Sequence, residues 1–298
     1  MKKIFMSGSG GMLGEAFYKI FKKDYHLFCS DIDVNEEWLN YLDFREYTNY
    51  EELVEKFNPD YLFHIGAHTD LEYCENNIDD TFKTNTISVD HAIQISNKLK
   101  IPLLYISTAG IFDGKKSIYN DWDTPNPLSV YGKSKFYSEK NILNLSNNYL
   151  ILRAGWMMGG GFKKDKKFVN KIINQILNGK KQLFVVDDKM GTPTYTYDFA
   201  KNAKLIIEKN LNGLFNLVCS GNTSRFEVAK EILKILNLEK KISIKRVDSH
   251  YFKNEYFATR PKSENLINYK LKLLSLDTMR DWKDCLNEYL NEQYRSFF

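Results

Sequence analysis

Four cysteines in 298 residues, Cys29, Cys74, Cys219 and Cys285, stand far apart and form no Cys-x-x-Cys pair. Their spacing assembles no metal site, so buried free thiols are the expected state, and no other pattern in the chain calls for a metal, Mg2+ included. Long apolar runs are absent too, which excludes a membrane-spanning helix. The Met1-Lys2-Lys3 start resembles a signal peptide only until the apolar run behind it breaks at Ser7-Gly8-Ser9-Gly10-Gly11; a cytoplasmic protein without a membrane partner is the expectation. Charge of one sign is missing: 42 basic and 38 acidic residues are dispersed through the chain for a net +4, which gives no basic patch for nucleic acid. Neither an internal repeat, a heptad run nor a low-complexity linker interrupts the chain. An apolar content of 43%, with aromatics at 14%, is enough for a substantial core in one large or two moderate domains and argues against disorder.

The most informative stretch is the first. Ile4-Phe5-Met6 reads as a strand, Ser7-Gly8-Ser9-Gly10-Gly11-Met12-Leu13-Gly14 as a glycine turn, and Leu13, Ala16, Phe17, Ile20 and Phe21 as the apolar stripe of a helix. In Gly8-x-x-Gly11-x-x-Gly14, Gly8 allows the tight turn, Gly11 brings backbone amides to a pyrophosphate, and Gly14 lets the helix pack closely on the strand, while the helix N-terminus favours an anion. His26 to Ser30 reads as a second strand ending in Asp31, seventeen residues past Gly14. That is where a dinucleotide fold places the acid that accepts from the adenosine ribose; the alternative is a charged turn with Asp33.

The strand and helix rhythm continues. Thr48-Asn49-Tyr50-Glu51 has capping-box spacing, Tyr61 to Ala67 suits a central parallel strand, Thr81 to Leu99 reads as one long helix, and Leu103 to Ile106 as the next strand. The fold class that follows is α/β, a Rossmann-type doubly wound parallel sheet with a smaller, discontinuous α/β unit. His68 and Thr69 leave the strand that contains Ala67, at the sheet edge where ligands bind in such folds, though His68 equally suits a loop-capping or packing role; Asn85, within the helix, has the same ambiguity.

Tyr131 and Lys135 in Tyr-Gly-Lys-Ser-Lys are four apart, so on a helix they share a face, and Thr108 ends a preceding strand. A phenol with a reference pKa of about 10 works as an acid near neutrality only beside a cation, and Lys135 supplies one. Thr108 adds a hydrogen bond at the reacting oxygen.

At this point the sequence resembles the extended short-chain dehydrogenase/reductase family, with Thr108, Tyr131 and Lys135 as the catalytic set. Ser107-Thr108-Ala109-Gly110-Ile111-Phe112-Asp113-Gly114, Arg153-Ala154-Gly155-Trp156, Gly191 to Asp198 and Arg260-Pro261 narrow the resemblance to the dTDP-4-dehydrorhamnose reductase group, over nearly the whole chain. That group usually carries Asp-Tyr where this chain has Ala109-Gly110, so one substrate-contacting aromatic is missing. The resemblance implies reduction of a nucleotide-linked 4-keto-6-deoxy sugar by NAD(H) or NADP(H), with Asp31 favouring NADH. It implies cofactor contacts from Gly8, Gly11, Met12, Leu13, Gly14, Asp31, Asp43, Ala67, His68, Asn85, Tyr131 and Lys135, and substrate contacts from Thr69, Thr108, Trp156, Lys167 and Arg260. Trp156 either stacks on the substrate or fills core, and Arg45 or a nearby lysine is a second candidate for the adenosine end.

Tyr149 to Arg153 reads as a sheet strand, Met157 to Gly161 as a flexible stretch, Phe168 to Asn178 and Asp198 to Lys209 as helices, and Leu214 to Val218 as a return to the sheet. Ser224-Arg225-Phe226-Glu227 caps a further helix, Ile242 to Val247 alternates like an exposed-edge strand, and Trp282 to Leu290 carries a helical stripe. The expected division is 1–153 with 194–219 for the cofactor, and 154–193 with 220–298 for the sugar nucleotide; a homodimer is compatible with this. A dehydratase on the same fold needs an Asp-Glu pair after the threonine, which Ala109-Gly110 cannot supply. An epimerase shares the triad. A non-catalytic relative, the regulatory subunit of methionine adenosyltransferase, is the alternative of a different kind.

Overall fold

The computed structural model describes residues 1–298. The chain opens with β1 (Lys3–Ser7), α1 (Met12–Phe21), β2 (His26–Asp31), β3 (Leu39–Tyr41), α2 (Tyr47–Phe57) and β4 (Tyr61–His64). It continues with α3 (Leu71–Asn76), α4 (Ile78–Phe82), α5 (Ser88–Leu99), β5 (Leu103–Thr108), α6 (Val130–Leu145) and β6 (Tyr149–Ala154). Then follow β7 (Trp156–Met158), α7 (Gly161–Lys164), α8 (Phe168–Leu177), β8 (Gln182–Val186), β9 (Met190–Gly191), β10 (Pro193–Tyr195), α9 (Thr196–Glu208) and β11 (Gly213–Asn216). β12 (Thr223–Ser224), α10 (Arg225–Ile235), β13 (Ser243–Val247), α11 (Tyr269–Leu273) and α12 (Trp282–Gln293) complete it.

Seven strands form one sheet in the order β11-β6-β5-β4-β1-β2-β3, every neighbour parallel. Strand side chains alternate between its faces, as the period of two requires. Phe5, Leu62, Leu103, Tyr105 and Ile151 pack under α2 and α5 with Tyr50, Val54, Val89 and Ala92. Ile4, Met6, Phe63, Leu104, Ile106 and Leu152 point the other way, onto Phe17 and Phe21 of α1 and Phe199 and Ala203 of α9. That second layer runs on without interruption into Ile172, Ile232, Leu286 and Tyr289. The late segments pair among themselves as β7 with β10, β9 with β12 and β8 with β13, and β13 is largely exposed as its alternation suggests.

Four local expectations are corrected. α2 starts at Tyr47, behind Glu46, with no side-chain cap; Glu51 accepts from the Tyr47 hydroxyl at 2.6 Å and closes no capping box. β4 stops at His64, because the amides of Ile65 and Gly66 both turn back to the Ser7 carbonyl. The long helix before β5 contains a π-helical turn at Lys83–Ile87 between α4 and α5, where one extra residue per turn re-aims Asn85. Met157 to Gly161, expected to be flexible, is built in: β7 leads to three glycines of positive φ, and the Gly161 amide donates to the Tyr289 hydroxyl at 3.2 Å.

Candidate active site

The carboxyl ends of β1, β2, β4 and β5 form one rim. Gly8, at φ +76°, turns the chain out of β1, and a Cβ there would collide with the Gly66 backbone. At Gly14 the close approach is to the Ser9 carbonyl of the turn itself, so this glycine packs α1 on its own loop and not, as expected, on the strand. Gly11 stands in open space, with nothing within 4 Å of its Cβ position, and α1 has no side-chain cap. Its first amides are therefore free to bind an anion. Met12 packs below Gly160, and Leu13 joins the sheet core.

Asp31 ties this turn to β2: one carboxylate oxygen accepts from the Gly10 amide at 2.7 Å, the other from the Asp33 amide at 3.0 Å. Lone pairs remain for a further donor. Asp43 is gripped by Arg45 through both oxygens, and that guanidinium holds its carboxyl below the usual carboxylate range. Arg45 also reaches Asp80 at 3.1 Å. Asp80 gathers the His68 imidazole and the Tyr73 hydroxyl as well, each at 2.8 Å. Ala67 is half-buried beside them. Asn85 is buried, and its amide is consumed within the protein: it accepts from the His68 amide at 2.7 Å and donates to the His68 carbonyl and Ser134 hydroxyl, both at 3.0 Å. Here it acts as a clamp between the loop after β4 and α6.

α6 begins under a serine cap, Ser129 Oγ accepting from the Gly132 amide at 3.0 Å, and its first turns carry Tyr131 and Lys135. Burial pushes the Tyr131 phenol up to about 12, while a hydrogen bond with Thr108 pulls the other way. Thr108 closes β5, its hydroxyl accepting from the Gly110 amide at 3.1 Å. Lys135 is 3% exposed, makes no hydrogen bond, and rests over the Tyr105 ring at 4.1 Å. Burial draws it down to about 7, with Glu139 opposing. Burial thus carries the phenol away from the neutral range, against the expectation that Lys135 favours its ionised form, and brings the amine toward it. The uncapped α1 amides, the open face of Gly11 and the unpartnered ammonium of Lys135 fit a nicotinamide dinucleotide laid along the rim.

The opposite wall comes from late segments. Trp156 donates its indole N–H to Glu264 Oε2 at 2.7 Å and carries the Arg225 guanidinium on its face at 4.3 Å, with Phe168 at 5.1 Å. Arg225 has no hydrogen bond or ion pair, and burial lowers its pKa, Glu264 opposing. Lys167 donates to the Thr69 carbonyl and hydroxyl at 3.0 and 2.9 Å, and Arg260 forms a two-pronged pair with Glu72 at 2.7 and 2.9 Å. Sequence reasoning assigned Arg225 only to a helix cap, which Ser224 indeed provides, and passed over Glu264. Neither belongs to a local motif; only the fold brings them to Trp156. Likewise the fold sets Cys219 Sγ 3.6 Å from Cys285 Sγ and Asp198 3.3 Å from Cys285, a cluster invisible in the spacing. There Arg280 occupies both Asp198 oxygens at 2.6 and 2.8 Å.

Residues 1–295 match the family described as the RmlD substrate binding domain. The spore coat polysaccharide biosynthesis protein SpsK of Bacillus subtilis is 28% identical over 98% of both chains. The crystal structure of the dTDP-4-dehydrorhamnose reductase of Yersinia enterocolitica superposes with a TM-score of 0.86 at 32% identity, covering 98% of this chain and 99% of that one. The methionine adenosyltransferase 2 subunit beta of Danio rerio is 25% identical over 92% of this chain and 85% of its own length.

Proposed function

The chain belongs to the RmlD substrate binding domain family, and from that premise we propose that it is an NAD(P)H-dependent reductase of a nucleotide-linked 4-keto-6-deoxy sugar. The observation that supports the reading is the approach of Thr108 and Tyr131 about Gly110, with the buried Lys135 one turn further along α6 and an open glycine turn on the same sheet edge. On this reading residues 1–153 and 194–219 hold the cofactor, and 154–193 and 220–298 the sugar nucleotide.

Gly8, Gly11 and the α1 amides hold the cofactor's pyrophosphate, Asp31 its adenosine ribose, and Lys135 the ribose next to the nicotinamide. When bound, the cofactor supplies a hydride to the ketone carbon. Tyr131 holds its proton across the neutral range and gives it to the ketone oxygen as negative charge builds there. Thr108 hydrogen-bonds the same oxygen, and the Lys135 ammonium offsets the charge left on the phenol. Lys167, Arg225 and Arg260 give the facing wall the positive charge that a diphosphate requires.

The likeness to a methionine adenosyltransferase subunit supports a second reading, a nucleotide-binding module without turnover. Incubation with a dTDP-linked 4-keto-6-deoxyhexose and reduced cofactor separates the two. One cofactor oxidised per sugar is expected of the reductase, none of a binding module, and none net of an epimerase. Tyr131→Phe, which keeps the ring, should lower turnover by at least ~100-fold with its circular dichroism unchanged; near-normal turnover would remove Tyr131 from the mechanism.

A further inference from the structure

The departure at Ala109-Gly110 has a counterpart across the cleft. The point where a Gly110 Cβ would stand lies 3.5 Å from Glu264 Oε1, 3.5 Å from Thr108 Oγ1 and 3.6 Å from Tyr131 Cε1. Glu264 Oε1, the Thr108 hydroxyl and the edge of the Tyr131 ring therefore surround the empty Cβ position of one glycine. Glu264 is fixed in place. Its amide donates to the Met190 carbonyl at 2.8 Å, its neighbour Ser263 donates to the Ser117 carbonyl at 2.7 Å, and the Trp156 indole holds Oε2 at 2.7 Å. Oε1 has no partner. A side chain at position 110 larger than a methyl would enter the space among Oε1, the Thr108 hydroxyl and the Tyr131 ring; glycine leaves that space to the substrate.

We propose that Glu264 selects sugars carrying a hydrogen-bond donor on the ring carbon beside the reacting carbonyl. This rests on the reductase reading and deepens it. An ionised carboxylate only accepts, so it rewards a hydroxyl or ammonium and repels a carbonyl or carboxylate at that position. With the C4 oxygen held by Tyr131 and Thr108, the adjacent carbons are C3 and C5. In a 6-deoxy sugar C5 bears a methyl group, so the donor stands on C3. Charge-assisted hydrogen bonds in a site built for them discriminate strongly against analogues that lack the donor.

The test compares a dTDP-linked 4-keto-6-deoxyhexose with its 3-deoxy counterpart, in the wild-type protein, Glu264→Ala and Glu264→Gln. The last keeps the side-chain volume and an acceptor for the Trp156 indole. The wild type should favour the 3-hydroxy sugar by at least ~30-fold in kcat/KM. Glu264→Gln should bring the ratio below ~5-fold by losing rate on the 3-hydroxy sugar while the 3-deoxy sugar is spared, whereas Glu264→Ala, which also frees the Trp156 indole, should narrow the ratio with a loss on both sugars. Equal use of the two sugars by the wild type overturns the proposal. So does an equal loss on both sugars in the Gln variant, which would mean that Glu264 merely props the wall. If the wild type turns over neither sugar, the reductase reading itself falls.

Discussion

Replacing Lys135 with arginine should flatten the pH dependence of the reaction. Lys135 is buried at 3% exposure over the Tyr105 ring, and its burial brings it to about 7 in the unliganded protein. Tyr131, held at about 12, keeps its proton throughout the neutral range. The productive pair is the ammonium with the neutral phenol, so activity is lost as pH rises through the lysine's titration. A group titrating near ~7 is about nine-tenths protonated at pH ~6 and about one-tenth at pH ~8, a fall of about ninefold in kcat/KM for the reduced cofactor, which reports the free protein. In kcat the same limb should move to higher pH, because bound phosphates favour the ammonium. Arginine stays charged over this range but does not reproduce the ammonium's position; Lys135→Arg should therefore be slower and pH-independent. Initial rates of cofactor oxidation across this range decide it. A wild-type profile without a break between pH ~6 and ~8, or a limb that survives unchanged in Lys135→Arg, refutes the reasoning.

Two further outcomes are expected. The wild type should prefer NADH to NADPH, since the Asp31 carboxylate accepts from a ribose hydroxyl and repels a 2′-phosphate; Asp31→Ala should narrow the ratio of kcat/KM values, and a clear wild-type preference for NADPH would show that Asp31 serves only the Gly10 and Asp33 amides. Glu139→Ala strands the Arg153 guanidinium, now paired at 2.7 and 2.9 Å in the core, and should cost about 3–5 kcal/mol in urea unfolding, whereas a loss under ~1 kcal/mol would contradict the buried pair.

The rim of the candidate site was legible because its signals are local. Gly8, Gly11 and Gly14 lie within one turn, Tyr131 and Lys135 within one helical repeat, and the alternation of apolar strands fixes which edge they reach. What misled was equally local. Thr48 to Glu51 has the letters of a capping box, yet α2 begins two residues earlier than a Thr48 cap would start it, behind Glu46, and the Glu51 carboxylate is taken by Tyr47. The π-helical turn at Lys83–Ile87 has no signature in a pattern of period 3.6, and it is this turn that commits Asn85 to His68 and Ser134.

The substrate half lacked such signals for a topological reason. Trp156 follows β6, Lys167 precedes α8, Arg225 opens α10, and Arg260 and Glu264 come from the coil before α11; what joins them is tertiary packing between segments up to 108 residues apart. No periodicity reports such a meeting. Among these residues the partners differ in kind. Lys167 and Arg260 already have protein acceptors, while Arg225 has no acceptor and Glu264 Oε1 no donor, although the guanidinium and the other Glu264 oxygen both contact the same indole. A charged group kept fixed and unpaired costs folding energy that a bound ligand returns. On the proposed reading, substrate choice resides in the two charges around Trp156, where the chain departs from its group at Gly110, and the hydride and proton transfers in the glycine-turn rim.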